Sequence, residues 1–170
     1  SYGYTCQFFT DVVSELFIPQ IKLNYAELYE EMDYIAKGST ANGSKISVEE
    51  IITWNCYTSI DSMIPYLSEL IINNAILNKK YGENFTGTVS SEYTHGQGGA
   101  RLRGGQKDSC TAFMAVGNYT KDGKIVCAHN SFVNFLDGQY ANLMLSIIPS
   151  NPQANRIIMQ AAAGWISSGT

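Results

Sequence analysis

The chain predicts an α+β fold in which helices precede an antiparallel sheet. Three observations carry that prediction. Apolar residues recur at three- and four-residue steps through the first half, the spacing of a helix face. After Ser109 the apolar residues gather into short strand-length segments. Between two of those segments stands Asp122-Gly123, a strong hairpin signal. Helices followed by strands with short connections are the pattern of helices layered on an antiparallel sheet. At 170 residues the length fits one domain.

The elements follow in order. From Asp11 to Lys37, Val12, Leu16, Leu23, Ala26, Tyr29 and Ile35 mark a helical face. Pro19 breaks this stretch into two pieces, because proline lacks the donor that an interior turn needs. "GSTANGS" after Lys37 reads as a stop and a loop. In "SVEEIITWN", Ser47 is a helix N-cap and Glu50, three residues on, completes a capping box. A longer helix is expected from about Ser62 to Tyr81, with Pro65 in its first turn and Gly82 closing it. "HGQGGARLRGGQK" is a glycine-rich linker. Strands are expected in "CTAFMAVGNY", "GKIVCAH", "YANLMLSII" and "NRIIMQAAAG", with a turn at Pro149-Ser150-Asn151-Pro152. The last of these leads into "GWISSGT", leaving a sheet edge open. More polypeptide, in this chain beyond Thr170 or in a second chain, is therefore expected to complete the fold.

Composition narrows the function. The net charge is -4, and no run of Lys and Arg exceeds two residues, which argues against a nucleic-acid surface. No apolar run is long enough to span a membrane, so the chain is not expected to be transmembrane. Four cysteines, Cys6, Cys56, Cys110 and Cys127, show no C-x-x-C spacing, and no metal or other cofactor is expected. Sequons at Asn42, Asn84 and Asn118 are glycosylation acceptors if the chain enters a secretory pathway.

Cys110 is the residue to which chemistry attaches most readily. It opens an apolar strand behind a flexible, polar approach, "QKDSC". It reads as a buried small hydrophobe, as half of a disulfide, or as a nucleophile. If the Ser109–Cys110 bond is cut, the new α-amine titrates near neutrality and acts as base for its own thiol. His129 and Asn130, in "CAHNSF", lie at the end of the strand that returns beside Cys110. A histidine there serves a leaving group or orients the amine, and an asparagine amide donates to an oxyanion. Either is equally a residue of the core. Cys127 reads as a core thiol, and His95 stands in the linker without metal-ligand partners. Lys107 and Asp108 flank the cleavage point, and Arg101 and Arg103 suit an anionic group or plain solvent. The carboxylates Glu30, Glu31, Asp33, Glu49 and Glu50 read as solvated helix face and capping, not as a glycosidase pair.

"DSCTAFMAVGNYTKDGKIVCAHNSF" resembles the start of the catalytic domain of phospholipase B-like proteins and of the related autoproteolytic acyltransferases of the penicillin acyl-coenzyme A type. Both are N-terminal nucleophile hydrolases. "YEEMDYIAKGSTANGSKISVEEIITWN" is similar to their pro-region, and "MLSIIPSNPQANRIIMQAAAGWISSG" to the next two strands. The resemblance implies a four-layer αββα sandwich that this chain covers in part. It divides the chain into a helical, pro-region-like segment 1–109 and the first catalytic strands 110–170. It implies self-cleavage between Ser109 and Cys110, then attack by Cys110 on an amide or ester carbonyl, with His129 and Asn130 assisting. The acyltransferases carry an aspartate where Phe132 stands here, which favours the phospholipase B-like branch. The implied partners are the rest of the precursor and an acyl-bearing small molecule or lipid, in a lysosomal or secreted setting; a cytoplasmic setting is the alternative. The rival is a non-catalytic protein that keeps the fold, for which a Cys110–Cys127 disulfide would speak, or a module that binds lipid or peptide.

Overall fold

The computed structural model describes residues 5–56, 59–60, 63–85, 109–132, 139 and 142–166; at 109, 110, 131 and 132 it describes the backbone. The chain divides into two compact units, Ser1–Gly105 and Gln106–Thr170. The first is helical and the second is built of antiparallel strands, so the α+β class holds.

The helical unit starts earlier than its periodicity predicts. Helix α1 spans Cys6–Leu16, and Thr5 caps it by accepting a 3.1 Å hydrogen bond from the Phe8 amide. Pro19 acts as expected: α1 ends before it, and α2, Ile18–Asn24, takes it into its first turn. A second break falls at Tyr25, so the stretch makes three helices, not two; α3 runs from Ala26 to Ala41. It therefore passes through Gly38, where a stop is expected. A mid-helix glycine weakens a helix by roughly 1 kcal/mol without forbidding it. Here the Asp33–Lys37 ion pair precedes it, and Asn42 Nδ2 donates to the Gly38 carbonyl at 2.8 Å. The stop comes at Gly43, whose φ of 90° a side chain rarely adopts.

Helix α4, Val48–Asn55, begins with the predicted capping box. The Glu50 amide donates to Ser47 Oγ at 3.2 Å, and the Ser47 amide to Glu50 Oε2 at 2.8 Å. The expected long helix is divided: a 3₁₀ turn at Ile64–Tyr66 leads into α5, Leu67–Asn73, and α6, Ala75–Tyr81. Asn74 makes the break, because its side-chain Oδ1 accepts from the Ile76 and Leu77 amides and caps a new helix. Gly82 does not close the helix in a left-handed turn. The chain continues there as a 3₁₀ turn, Gly82–Phe85, and a Cβ at Gly82 would meet the Asn78 side chain at 2.0 Å.

One core of this unit joins Phe8 and Val12 to Met63, Leu67, Ile71 and Leu77, all buried. Phe8 meets Tyr81 edge-on at 5.0 Å and stacks on Phe85 at 5.9 Å. Helix α4 packs against α1 and α3, and Val13, Met32, Ala36, Ile51 and Ile52 are buried.

The strand unit contains β1, Ser109–Gly117, paired antiparallel with β2, Gly123–Phe132, and β3, Leu143–Ile147, paired antiparallel with β4, Ile157–Ala161. Each pair is a separate two-stranded sheet among the described residues. The β1–β2 connection is not a two-residue Asp-Gly turn. Gly117 and Gly123 both have positive φ, 65° and 73°, and bracket a five-residue loop, Asn118–Asp122. The Thr120 amide closes it on the Gly117 carbonyl at 3.1 Å.

Candidate active site

The ladder between β1 and β2 fixes the geometry of the candidate residues. Ser109 pairs with Phe132, Cys110 with Ser131, Thr111 with Asn130, Ala112 with His129, and Met114 with Cys127. Residues directly opposite share a face, and faces alternate along each strand. Cys110 therefore has the parity of Ser131, Ala112, His129 and Cys127. His129 is its diagonal neighbour, at a ladder separation of about 7–8 Å, within reach of a long side chain. Asn130 pairs with Thr111 and belongs to the other face. The three residues singled out in the sequence thus divide: Cys110 and His129 fall together, and Asn130 alternates away from them.

The register also corrects the disulfide expected of the rival reading. Cys127 pairs with Met114, four residues along β1 from Cys110. At about 3.4 Å per residue the separation is about 14 Å. A disulfide needs Cα atoms roughly 4.4–6.8 Å apart. Cys127 is in fact a free, exposed thiol.

Ser131 is the residue that the register sets opposite Cys110. Its position opposite Cys110 depends on the loop length. A two-residue turn centred on Asp122-Gly123 would have paired Cys110 with Phe135 instead. Two glycines spaced around "NYTKD" were the available signal, since each permits the positive φ that ends a strand.

The surroundings are apolar. On the Cys110 face, Met114 and Ile125 are 69% and 65% exposed; on the Asn130 face, Phe113 and Val126 are 60% and 47% exposed. His129 is half-buried. A shallow groove of about 610 Å³ runs along Phe113, Ala115, Tyr119 and Val126, at the loop end of the hairpin and away from Cys110. Among the described residues no group of His, Cys, Asp and Glu is placed to hold a metal ion. His95, Arg101, Arg103, Lys107 and Asp108 lie outside the described residues.

The other thiols have separate settings. Cys6 is exposed in the first turn of α1, and Cys56 is half-buried at the C-cap of α4, where burial raises its pKa. The sequon asparagines are all exposed at bends of the chain: Asn42 after α3, Asn84 in the 3₁₀ turn, and Asn118 in the β1–β2 loop. No described helix is long and apolar enough to cross a membrane.

No family model, curated protein or solved structure matches the chain.

Proposed function

We propose that the protein is a cysteine N-terminal nucleophile hydrolase of the phospholipase B-like kind, activated by cleavage of its own Ser109–Cys110 bond. The observation that carries this reading is the β1–β2 register, which sets Cys110 and His129 on one face at the open end of a rigid hairpin. The αββα sandwich belongs to the same proposal. Its support is a hairpin apolar on both faces, the pattern of strands meant to be covered on both sides.

Self-cleavage begins with the Cys110 sulfur attacking the Ser109 carbonyl carbon. The C–N bond breaks, its nitrogen takes a proton, and the acyl group passes from nitrogen to sulfur. Water then hydrolyses the thioester, leaving a Ser109 carboxylate, a Cys110 thiol and a free α-amine. In the mature enzyme that amine takes the thiol proton as sulfur attacks the substrate carbonyl. His129 serves the leaving group. Asn130 is the amide nearest in the ladder for an oxyanion, and its opposite parity gives it the smaller share. The substrate is an amide or carboxylic ester with an apolar acyl chain. A secreted or lysosomal setting suits the exposed sequon asparagines.

Intact-mass analysis after incubation across pH tests the reading. Wild type is expected to yield a chain beginning at Cys110, Cys110→Ser to yield it more slowly, and Cys110→Ala not at all. With a panel of acyl esters and amides, a thioester should be trapped on the Cys110 peptide. His129→Ala should lower turnover by about 10²-fold, the usual size of a general acid–base contribution, and Asn130→Ala by less. An uncleaved mass at every pH, or acyl label found only on Cys127, would sink the proposal.

A further inference from the structure

The proposed chemistry leaves the loop of the β1–β2 hairpin without a task, and that loop carries a whole sequon, Asn118-Tyr119-Thr120. Two overlapping turns hold it. The Tyr119 amide donates to the Val116 carbonyl at 3.4 Å, and the Thr120 amide to the Gly117 carbonyl at 3.1 Å. The Thr120 hydroxyl donates to the same Gly117 carbonyl at 3.1 Å. Tyr119 is 91% exposed, the most open of the large apolar side chains described. Tyr119 and Thr120 line the groove of about 610 Å³ together with Phe113, Ala115 and Val126. The other sequons are placed differently. Asn42 gives its side-chain nitrogen to the Gly38 carbonyl, and Thr86, the third residue of the Asn84 sequon, lies outside the described residues. Among the described residues no hydrogen bond engages the Asn118 side chain.

We infer that Asn118 is an N-glycosylation site and that the groove beside it seats the first sugars of its own glycan. The donor is a lipid-linked oligosaccharide diphosphate. A bond forms from Asn118 Nδ2 to the anomeric carbon of the first N-acetylglucosamine as the bond from that carbon to the diphosphate oxygen breaks. Nδ2 gives up one proton, and the lipid diphosphate leaves. A pyranose ring has C–H bonds on its faces and hydroxyls at its rim. The faces match Phe113, Tyr119 and Val126, which otherwise meet water. The hydroxyls and the acetamide match the donors of Lys121, which also lines the groove. Asp122, beside it, is already held by Lys124. Attachment one residue from the groove delivers the sugars at high effective concentration. The groove lies at the loop end, away from Cys110, so the glycan leaves the catalytic end open. A two-stranded hairpin alone is marginally stable, and sugars packed on it slow its opening. The inference needs a secretory route but no turnover, so it stands apart from the hydrolase reading.

The test is the full chain secreted from cultured animal cells behind an added signal peptide. Trypsin gives Gly38–Lys45, Tyr81–Arg101 and the peptide that ends at Lys121, one for each sequon. Enzymatic removal of the sugar in heavy-oxygen water turns each occupied asparagine into a labelled aspartate. Label is expected at Asn118 in wild type and is lost in Asn118→Gln and in Thr120→Ala. Hydrogen exchange then reads the seat. Amides of the β1–β2 hairpin should exchange roughly fivefold more slowly in glycosylated wild type than in Asn118→Gln. Tyr119→Ser keeps the sequon and should keep the label, but its protection relative to the Asn118→Gln, Tyr119→Ser double variant should disappear. An unlabelled Asn118 in the secreted chain overturns the inference, whether or not Asn42 or Asn84 carries sugar. So does a labelled Asn118 with hairpin exchange equal to that of Asn118→Gln, and so does protection that survives Tyr119→Ser. A seated glycan on a chain that never cleaves before Cys110 leaves the inference standing and removes the hydrolase reading. Self-cleavage in a chain bare at Asn118 does the reverse.

Discussion

Asp11 shows how much one side chain can hold. Its carboxylate accepts from Lys80 Nζ and the Tyr81 hydroxyl on one oxygen, and from Gln7 Nε2 at 2.9 Å on the other. Burial alone would raise its pKa, but the hydrogen bonds from Lys80, Tyr81 and Gln7 outweigh that and hold it below the usual aspartate value. A depressed pKa contributes stability above the unfolded value that is lost as pH falls through the folded one. Asp11→Asn is therefore expected to cost about 1 kcal/mol at pH 7, with the difference from wild type shrinking below about pH 4. Urea melts at pH 7 and pH 3 check this; a gap of equal size at both would show that charge is not the cause. Cys56 gives a second test at this scale. Burial raises its pKa, so less thiolate is present and it should alkylate more slowly at pH 8 than the exposed Cys6 and Cys127.

Short helices end where a side chain makes a better bargain with the backbone than another turn does. Asn74 is such a residue, and Asn74→Ala removes both of its bonds to α6 amides. The expected loss is about 1 kcal/mol, seen as a lower urea midpoint with unchanged slope. Gly123→Ala should cost about 1–2 kcal/mol, purely through its φ of 73°, since nothing lies within 4 Å of where the Cβ would stand. These elements also show what the sequence makes readable. The capping box at Ser47 and Glu50 was legible because both partners lie within one turn. The breaks at Tyr25 and Asn74 were not, because apolar spacing continues through them. The strands could be placed from their apolar segments, and the Cys110–His129 neighbourhood from the hairpin. The pairing of Cys110 with Ser131 could not, since it turns on whether the loop holds two residues or five.

At the scale of the whole chain, the two units differ in how they treat apolar surface. The helical unit gathers its large side chains into a buried cluster. The strand unit leaves Phe113, Met114, Ile125, Met144, Ile148 and Ile158 more than half exposed. In the proposed sandwich this is the surface that further layers would cover. The chain by itself should bind anilinonaphthalene sulfonate, and Phe113→Lys with Ile158→Lys should weaken that binding while leaving the helical circular dichroism unchanged. Undiminished binding by the double variant would place the dye elsewhere.

The aromatic contacts of Phe8 and the bonds of Asp11 join the beginning of the helical unit to its end, across about seventy residues of chain. A ribosome makes that chain in one direction. While α1 to α4 emerge, Phe8 and Val12 have no partners from α5 and α6. The unit can close only after Tyr81 and Phe85 have left the exit tunnel. Synthesis therefore holds an apolar helix open to the cell for most of the time spent making this unit. Slow codons read while Phe85 is still inside the tunnel would lengthen that exposure, and those read after it has emerged would not.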